Sequence, residues 1–212
     1  MADTIGDSQI RAMLVAATGK IRENHPMLSA LDSATGDGDH GTTILRTMEA
    51  VASTVEEHSG SGLADVFAKI SWAVMGCDGG STGPLLGSFF SGMGEAVAGR
   101  DELDAGAVVA MFSGGIEKLA KLSRAKAGDK TMMDAFLPAL DAMKVAAPEG
   151  IRAALQKAAE AAARGAEATK DFRAKFGRAR NLGDRVIGHA DPGAVSVSLI
   201  FRGFAEALVE AS

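Results

Sequence analysis

Three aspartates lie close together in one short, glycine-rich stretch of the chain. Asp32, Asp37 and Asp39 fall within eight residues, and the glycines among them leave the backbone free to curl. We therefore expect the three carboxylates to converge on one point. Mg²⁺ takes one or two carboxylates per ion and fills the rest of its shell with water and phosphate. The stretch predicts a seat for a pair of magnesium ions with room for a diphosphate.

Two other interpretations fit the same residues less well. An aspartate could cap the following helix, but three acids facing one another without a cation would repel. A calcium loop fails on spacing, because counting Asp37 as position 1 puts Gly41 at position 5 and Met48 at position 12, where oxygen ligands are needed. The magnesium site is therefore the favoured interpretation.

The residues after the last aspartate begin a predicted helix. His40, Gly41, Thr42 and Thr43 would present backbone amides and hydroxyls at its positive end, where a phosphate can bind. The alternative role for His40 and Thr42 is to cap the helix. Phosphate binding is favoured.

A second glycine-rich run begins the fourth predicted helix and contains Ser81 and Thr82. Like the first run, it could bind phosphate at the start of a helix, because it offers unobstructed backbone amides, two hydroxyls and a proline in the first helical turn. Its glycines could equally serve close helix packing. Without the aspartates, neither role would be favoured over the other.

Polar residues also precede the sixth and eighth predicted helices. For Asp129 we favour a helix cap over a contact with a ligand. Arg178 and Arg180 lie in an irregular stretch, where the fork of an arginine could clamp a phosphate. Asp191 is expected to cap the eighth helix with Pro192 in its first position, and a ligand contact is compatible with that cap.

Helices must position all of these groups. Apolar residues recur at helical spacing along the chain, no strand pattern competes, and the Ala-rich, Met-rich composition suits closely packed helices. The sequence predicts one all-α domain, residues 1–212, folded as an antiparallel up-down bundle of about eight helices. The predicted helices cover 5–24, 41–58, 62–76, 82–98, 104–124, 131–146, 149–172 and 193–211, with an irregular stretch from 176 to 193. The links after helices 1, 3, 5 and 7 would share one rim, and these links carry the polar motifs.

Bulk composition excludes several classes of protein. A net charge of −5 without basic clusters argues against binding to nucleic acid. Cys77 is the single cysteine, so it forms no internal disulfide, and we interpret it as a buried apolar residue. The absence of a leader and of a membrane-spanning apolar run predicts a cytoplasmic protein without membrane contact. No nucleophile is paired with a general base, which predicts half of an enzyme completed by a partner.

Four motifs follow one another in fixed order from about residue 30 to residue 195. They are Leu31-Asp32 with Gly36-Asp37-Gly38-Asp39-His40-Gly41, then Gly79-Gly80-Ser81-Thr82-Gly83-Pro84, then Gly128-Asp129-Lys130-Thr131-Met132, and last Gly177-Arg178 with Ile187-Gly188-His189 and Asp191-Pro192-Gly193-Ala194. Together they resemble the nucleotide-binding L subunit of dihydroxyacetone kinases. Because four motifs match in order, this resemblance is more specific than one based on a single glycine-rich loop.

The resemblance implies an eight-helix antiparallel barrel with ADP or ATP and two magnesium ions at one rim. It implies that Asp32, Asp37 and Asp39 ligate the magnesium, and that Gly128 and Leu137 border the adenine. The full set of nucleotide contacts that it implies is His40, Gly41, Thr42, Thr43, Ser81, Thr82, Gly128, Leu137, Arg178, Asp191, Pro192 and Gly193. No catalytic side chain is implied beyond Arg178 as a phosphate clamp.

The resemblance also implies an activity divided between two chains. A separate K subunit would hold the ketose through a histidine that this sequence does not contain, and this chain would supply the phosphate. The favoured hypothesis is a dihydroxyacetone kinase, a homodimer, whose bound ADP is recharged by a phosphotransferase-system phosphocarrier. The alternatives are an ATP-dependent kinase of a triose or tetrose, a nucleotide-dependent partner of a transcriptional regulator, and a magnesium-dependent phosphohydrolase acting alone.

Overall fold

The computed structural model describes residues 3–210, with side chains up to residue 208. Over this range the helices are α1 Asp7–Thr35, α2 His40–Glu57, α3 Leu63–Met75, α4 Thr82–Ala96, α5 Ala105–Leu122, α6 Met133–Ala146, α7 Ile151–Ala168 and α8 Pro192–Glu210. Two strands, β1 Thr4–Gly6 and β2 Glu102–Asp104, pair antiparallel. Short 3-10 helices cover Ala147–Glu149, Thr169–Asp171 and Arg178–Val186. None of the helices in the described range is both long and apolar enough to cross a membrane.

The α-helices close into a ring. Each packs against the next along the chain, and α8 returns to lie along α1. Most of the links between successive helices are short, and neighbouring helices run antiparallel. The predicted all-α class is confirmed, and α2 to α8 begin and end within four residues of their predicted bounds.

Phenylalanines fill the interior of the ring. Phe89, Phe112, Phe136, Phe201 and Phe204 are each at most 1% exposed. The centroids of their contacting rings lie 4.9 to 6.4 Å apart, in tilted and edge-to-face arrangements. Because these rings come from α4, α5, α6 and α8, one aromatic cluster connects four helices.

The first helix corrects the prediction that it ends at residue 24. It continues through Pro26 to Thr35. A proline inside a helix removes one hydrogen bond and costs about 3 kcal/mol, which is why the sequence indicated a break there. Beyond the proline, Leu28 is completely buried, and this packing together with the further helical turns outweighs the cost. As a consequence, Asp32 lies on the last turn of α1 instead of on a loop.

Three smaller expectations are also corrected. Cys77 is half-buried instead of buried, its thiol donates to the carbonyl of Ala73 at 3.5 Å, and burial raises its pKa. Much of the predicted irregular stretch forms the 3-10 helix Arg178–Val186, which is kinked at Gly183, where φ is 58°. The two strands were not predicted, because three residues are too few to show an alternating pattern of apolar and polar residues.

The contact between α1 and α8 depends on a glycine. A Cβ built on Gly203 would lie 2.5 Å from the Cα of Ala17. We expect Gly203→Ala to lower the free energy of unfolding by about 1–3 kcal/mol, because the two backbones must separate. Gly19→Ala, also on this pair of helices, meets no atom within 4 Å and should raise it by about 0.5–1 kcal/mol. Urea denaturation of both variants checks this, and equal effects would contradict it.

Candidate functional site

A cleft of about 740 Å³ opens at one rim of the ring. It lies where the links after α1, α3, α5 and α7 meet, which are the four links expected to share a rim. The lining residues are 32, 35–37, 39 and 40 around the first link, 79–82 and 85 around the second, 122–125 and 130–132 around the third, and 176–179 and 191–193 around the fourth. Residues far apart in sequence therefore form one site.

The three aspartates meet at one side of the cleft. Asp32, Asp37 and Asp39 each present one carboxylate oxygen, and these oxygens lie within 4.8 Å of one another. The Oδ2 of Asp32 also accepts the backbone amide of His40 at 3.2 Å, which ties the end of α1 to the start of α2. A Cβ on Gly36 would meet the Asp32 carboxylate, so a side chain at this position would displace that carboxylate from its place in the cluster. A converging set of hard oxygens is the donor set that Mg²⁺ prefers, and the residues present fit that ion.

Arg178 lies at the same side of the cleft. Its guanidinium forms an ion pair with Asp37 and lies 3.7 Å from the Oδ2 of Asp39. The arginine side chain is 66% exposed, and an ion pair between exposed groups contributes little to stability. Arg178 can therefore exchange a carboxylate for a phosphate at small cost.

His40 connects the aspartates to α8. Its Nε2 lies 2.8 Å from the hydroxyl of Ser196, and that hydroxyl donates in turn to the carbonyl of Pro192. The hydroxyl therefore accepts from Nε2–H of a neutral ring. Burial lowers the pKa of His40, and the charges of Asp32 and Asp39 oppose this only in part. A neutral ring at this position holds the two sides of the cleft together without adding positive charge.

The structure separates the predicted site residues into two groups. Lining the cleft are Asp32, Asp37, Asp39, His40, Ser81, Thr82, Arg178, Asp191, Pro192 and Gly193. Outside its wall are Gly41, Thr42, Thr43, Gly128 and Leu137. Each member of the second group except the exposed Thr42 has another contact. Gly41 packs against the backbone of α1, the methyl of Thr43 packs against Gly79, Gly128 donates its amide to Asp134, and Leu137 packs against the core.

An apolar side of the cleft was not predicted from the sequence. It consists of Leu85, Leu122, Ala125, Met132 and Phe176. Leu122 is 59% exposed and Phe176 is 38% exposed. Leu122 follows the buried stripe of α5 at helical spacing, so its pattern indicated core. Phe176, which with Phe172 is an aromatic residue in an otherwise mostly polar stretch, was the signal that could have indicated this surface.

Asp129 does not cap α6, which corrects the predicted cap. Its carboxylate accepts the amide of Lys126 at 2.8 Å and the ammonium of Lys175 at 2.6 Å. Asp134, inside the first turn of α6, accepts the amides of Gly128 and Thr131 instead. A carboxylate within the first turn can reach back to free amides at the helix start, and sequence order alone does not show which aspartate does so.

Asp191 caps α8 as expected. Its Oδ2 accepts the amide of Ala194 at 2.7 Å, and Pro192 is the first residue of the helix. Burial raises the pKa of Asp191 to about 7, although the bond from Ala194 and the charge of Lys130 act in the opposite direction. The fold therefore holds a proton on this carboxyl group more tightly than the unfolded chain does.

This raised pKa predicts a pH-dependent effect of Asp191→Asn, in which the asparagine oxygen can keep the cap. The wild-type carboxyl stabilises the fold below about pH 4, and that contribution is lost as the pH rises to about 7. The free energy of unfolding of the variant should therefore rise relative to wild type between these pH values, by up to about 1.4 kcal/mol per pH unit. Denaturation in EDTA at each pH measures it. An effect that is flat with pH, or one equalled by Asp141→Asn on the exposed face of α6, would contradict the assignment.

The chain is similar to known proteins over most of its length. The family model of the DAK2 domain matches residues 34–206. The chain is 36% identical over 184 residues to the ADP-binding subunit DhaL of a PEP-dependent dihydroxyacetone kinase of Listeria innocua, covering 86% of this chain and 87% of that protein. It is 35% identical over 185 residues to a D-erythrulose kinase of Mycolicibacterium smegmatis, covering 84% of this chain and 32% of that protein.

A solved structure has the same fold. It is the dihydroxyacetone kinase of C. freundii in complex with AMP-PNP and Mg²⁺, with a TM-score of 0.73 and 28% sequence identity. The similarity covers 97% of this chain and 35% of that one. The region shared with this larger kinase therefore corresponds to nearly all of the chain.

Proposed function

Because this chain belongs to the DAK2 domain family, we propose that it is the nucleotide-binding subunit of a dihydroxyacetone kinase. In this proposal it binds ADP or ATP with two magnesium ions and passes a phosphoryl group to dihydroxyacetone held on a separate K subunit. A relative 36% identical to the chain is named as an ADP-binding subunit, which supports this assignment.

One observation in the structure carries the proposal. A converging set of carboxylates and an apolar wall line the same cleft. Phosphates need cations, whereas a nucleobase needs apolar contact area, and a nucleotide needs both within its own length. The base would lie against Leu122, Met132 and Phe176, with its phosphates directed toward the aspartates.

Different side chains of the cleft would bind the magnesium and the phosphates. Asp32, Asp37 and Asp39 would hold the magnesium, which when bound neutralises charge on the phosphoryl oxygens. Ser81 and Thr82 would donate to phosphate from the start of α4, where the helix dipole favours an anion. Arg178 would leave Asp37 and pair with a phosphate instead. These groups would position the phosphates and neutralise their charge. None of them is proposed as a nucleophile or a general base.

The sugar and its activation would come from the K subunit. The cleft lies open at the rim, and its charged groups surround the place where phosphate would lie, so a second subunit can reach that phosphate. We place the complex in the cytoplasm, where nucleotide and Mg²⁺ are both supplied. A homodimer of this chain remains a prediction.

Two phosphate donors are compatible with this site. Similarity to a subunit of a PEP-dependent kinase favours a bound ADP that a phosphotransferase-system protein recharges. Similarity to a D-erythrulose kinase favours the second candidate, an ATP-dependent kinase of a four-carbon ketose. The two differ in whether the nucleotide stays bound as a cofactor or exchanges as a substrate.

The metal assignment predicts a large effect of Asp37→Asn on nucleotide affinity. Loss of one charged ligand should weaken magnesium-dependent binding of ADP by about 1.5–3 kcal/mol, on the order of what a hydrogen bond to a charged group contributes. Asp78→Asn removes the same charge from an exposed position in the link after α3 and should leave affinity unchanged. Isothermal titration in excess Mg²⁺ measures both variants. Equal affinities for Asp37→Asn and wild type would refute the metal site.

The choice of donor predicts how tightly nucleotide is held. If ADP is a recharged cofactor, the purified protein should retain ADP and magnesium through gel filtration. Steady phosphorylation should then need the K subunit, the phosphocarrier and phosphoenolpyruvate. Loss of nucleotide on mild dialysis, together with steady turnover on added ATP and K subunit, would exclude recharging and support the ATP-dependent kinase. Phosphate release without any K subunit would instead indicate a phosphohydrolase.

A further inference from the structure

Lys130 has an unusual backbone conformation at the edge of the cleft. Its φ is 59°, and within the described residues it is the one non-glycine residue with positive φ. Side chains with a Cβ are strained in this region, and such strain persists only where surrounding contacts enforce it. Lys130 lines the cleft and is only 3% exposed, so these contacts are internal. No role assigned so far uses this residue.

The ammonium of Lys130 joins the two ends of the connection between α7 and α8. Its Nζ donates to the carbonyl of Thr169 and to the carbonyl of His189, both at 2.5 Å. These acceptors lie at the beginning and the end of that connection. The link from α5 to α6 therefore holds the link from α7 to α8 through one side chain.

Two further hydrogen bonds close the same connection. The amide of Gly188 donates to the carbonyl of Lys170, and the amide of Asp191 donates to the hydroxyl of Thr169, both at 2.8 Å. These bonds hold the end of the α7–α8 connection, which leads directly into Asp191–Gly193. Those residues form the cleft wall at the start of α8.

The charge of Lys130 is surrounded by acids. Burial lowers the pKa of its ammonium, and the charges of Asp191, Asp134 and Asp171 oppose this in part. A neutral apolar residue would leave two carbonyls without a donor and the half-buried Asp191 without its nearby cation. The site thus requires a long cationic side chain and not merely a space-filling one.

We propose that Lys130 is a positioning residue for the nucleotide, fixing the Asp191–Gly193 wall of the cleft by clamping both ends of the α7–α8 connection. This inference rests on the proposed function, because it assumes that the cleft takes a nucleotide. Lys130 acts through the connection, and its ammonium is occupied by the two carbonyls. The metal carboxylates lie on the last turn of α1 and on the α1–α2 link. The exposed Arg178 joins them to the α7–α8 connection, but its ion pair contributes little, so metal affinity should change little when the clamp is removed.

The test compares Lys130→Gly with wild type and with Lys126→Met. Glycine adopts positive φ without strain, so this substitution removes the clamp and not the backbone conformation. Lys126→Met removes a lysine charge from an exposed position of the same link. Three quantities are measured on the full chain: affinity for ADP in excess Mg²⁺, affinity for Mn²⁺ alone by electron paramagnetic resonance, and hydrogen exchange at the amides of Gly188 and Asp191.

For Lys130→Gly we expect ADP affinity to fall at least tenfold and exchange at both amides to accelerate at least tenfold. Mn²⁺ affinity should stay within twofold of wild type, and Lys126→Met should change none of the three. Unchanged ADP affinity would overturn the proposal. So would a parallel loss of ADP and Mn²⁺ affinity, which would indicate a general loss of structure.

Failure of the proposed function has a different signature. In that case wild type itself binds no ADP, whatever happens at residue 130. The exchange measurement still decides whether Lys130 holds the connection, because it needs no ligand. Unchanged exchange at Gly188 and Asp191 would then overturn the clamp as well.

Discussion

Mutual repulsion among three carboxylates is the constraint on which the rest of the rim depends. Oxygens of Asp32, Asp37 and Asp39 within 4.8 Å of one another would drive the link apart unless positive groups face them. The guanidinium of Arg178 and the amide of His40 supply part of that charge from the protein itself. A divalent cation would supply the rest, so the geometry of the link and its affinity for metal have the same origin.

The ring of helices holds the three carboxylates together with a small loss of conformational entropy on binding. α1 continues past Pro26 because Leu28 is buried, and this extension carries Asp32 up to the rim. Gly41 lets the start of α2 approach the backbone of α1 closely, so the link between them is short and tight. Helix ends therefore hold Asp32 and Asp39, and the turn between them that carries Asp37 is short, whereas a long free loop would lose more conformational entropy on binding a ligand.

One side of the cleft is charged and the other is apolar, which suits a nucleotide whose phosphates lie toward the open rim. Charged groups come from the links after α1 and α7, and the apolar wall comes mainly from the end of α5 and from Phe176. Lys130 joins the two later links, so the wall at the start of α8 is fixed by a residue from another part of the chain.

The sequence by itself determined the all-α class, seven helices to within a few residues, and the convergence of the three aspartates, because helical periodicity and carboxylate spacing are local properties. Only the tertiary structure decided that α1 passes through Pro26, that Asp134 and not Asp129 accepts the amides of Gly128 and Thr131 ahead of α6, and that Leu122 faces the cleft. Each of these depends on packing between segments distant in sequence. Burial outweighs local propensity at Pro26, and periodicity cannot distinguish an apolar residue facing the core from one facing a cleft.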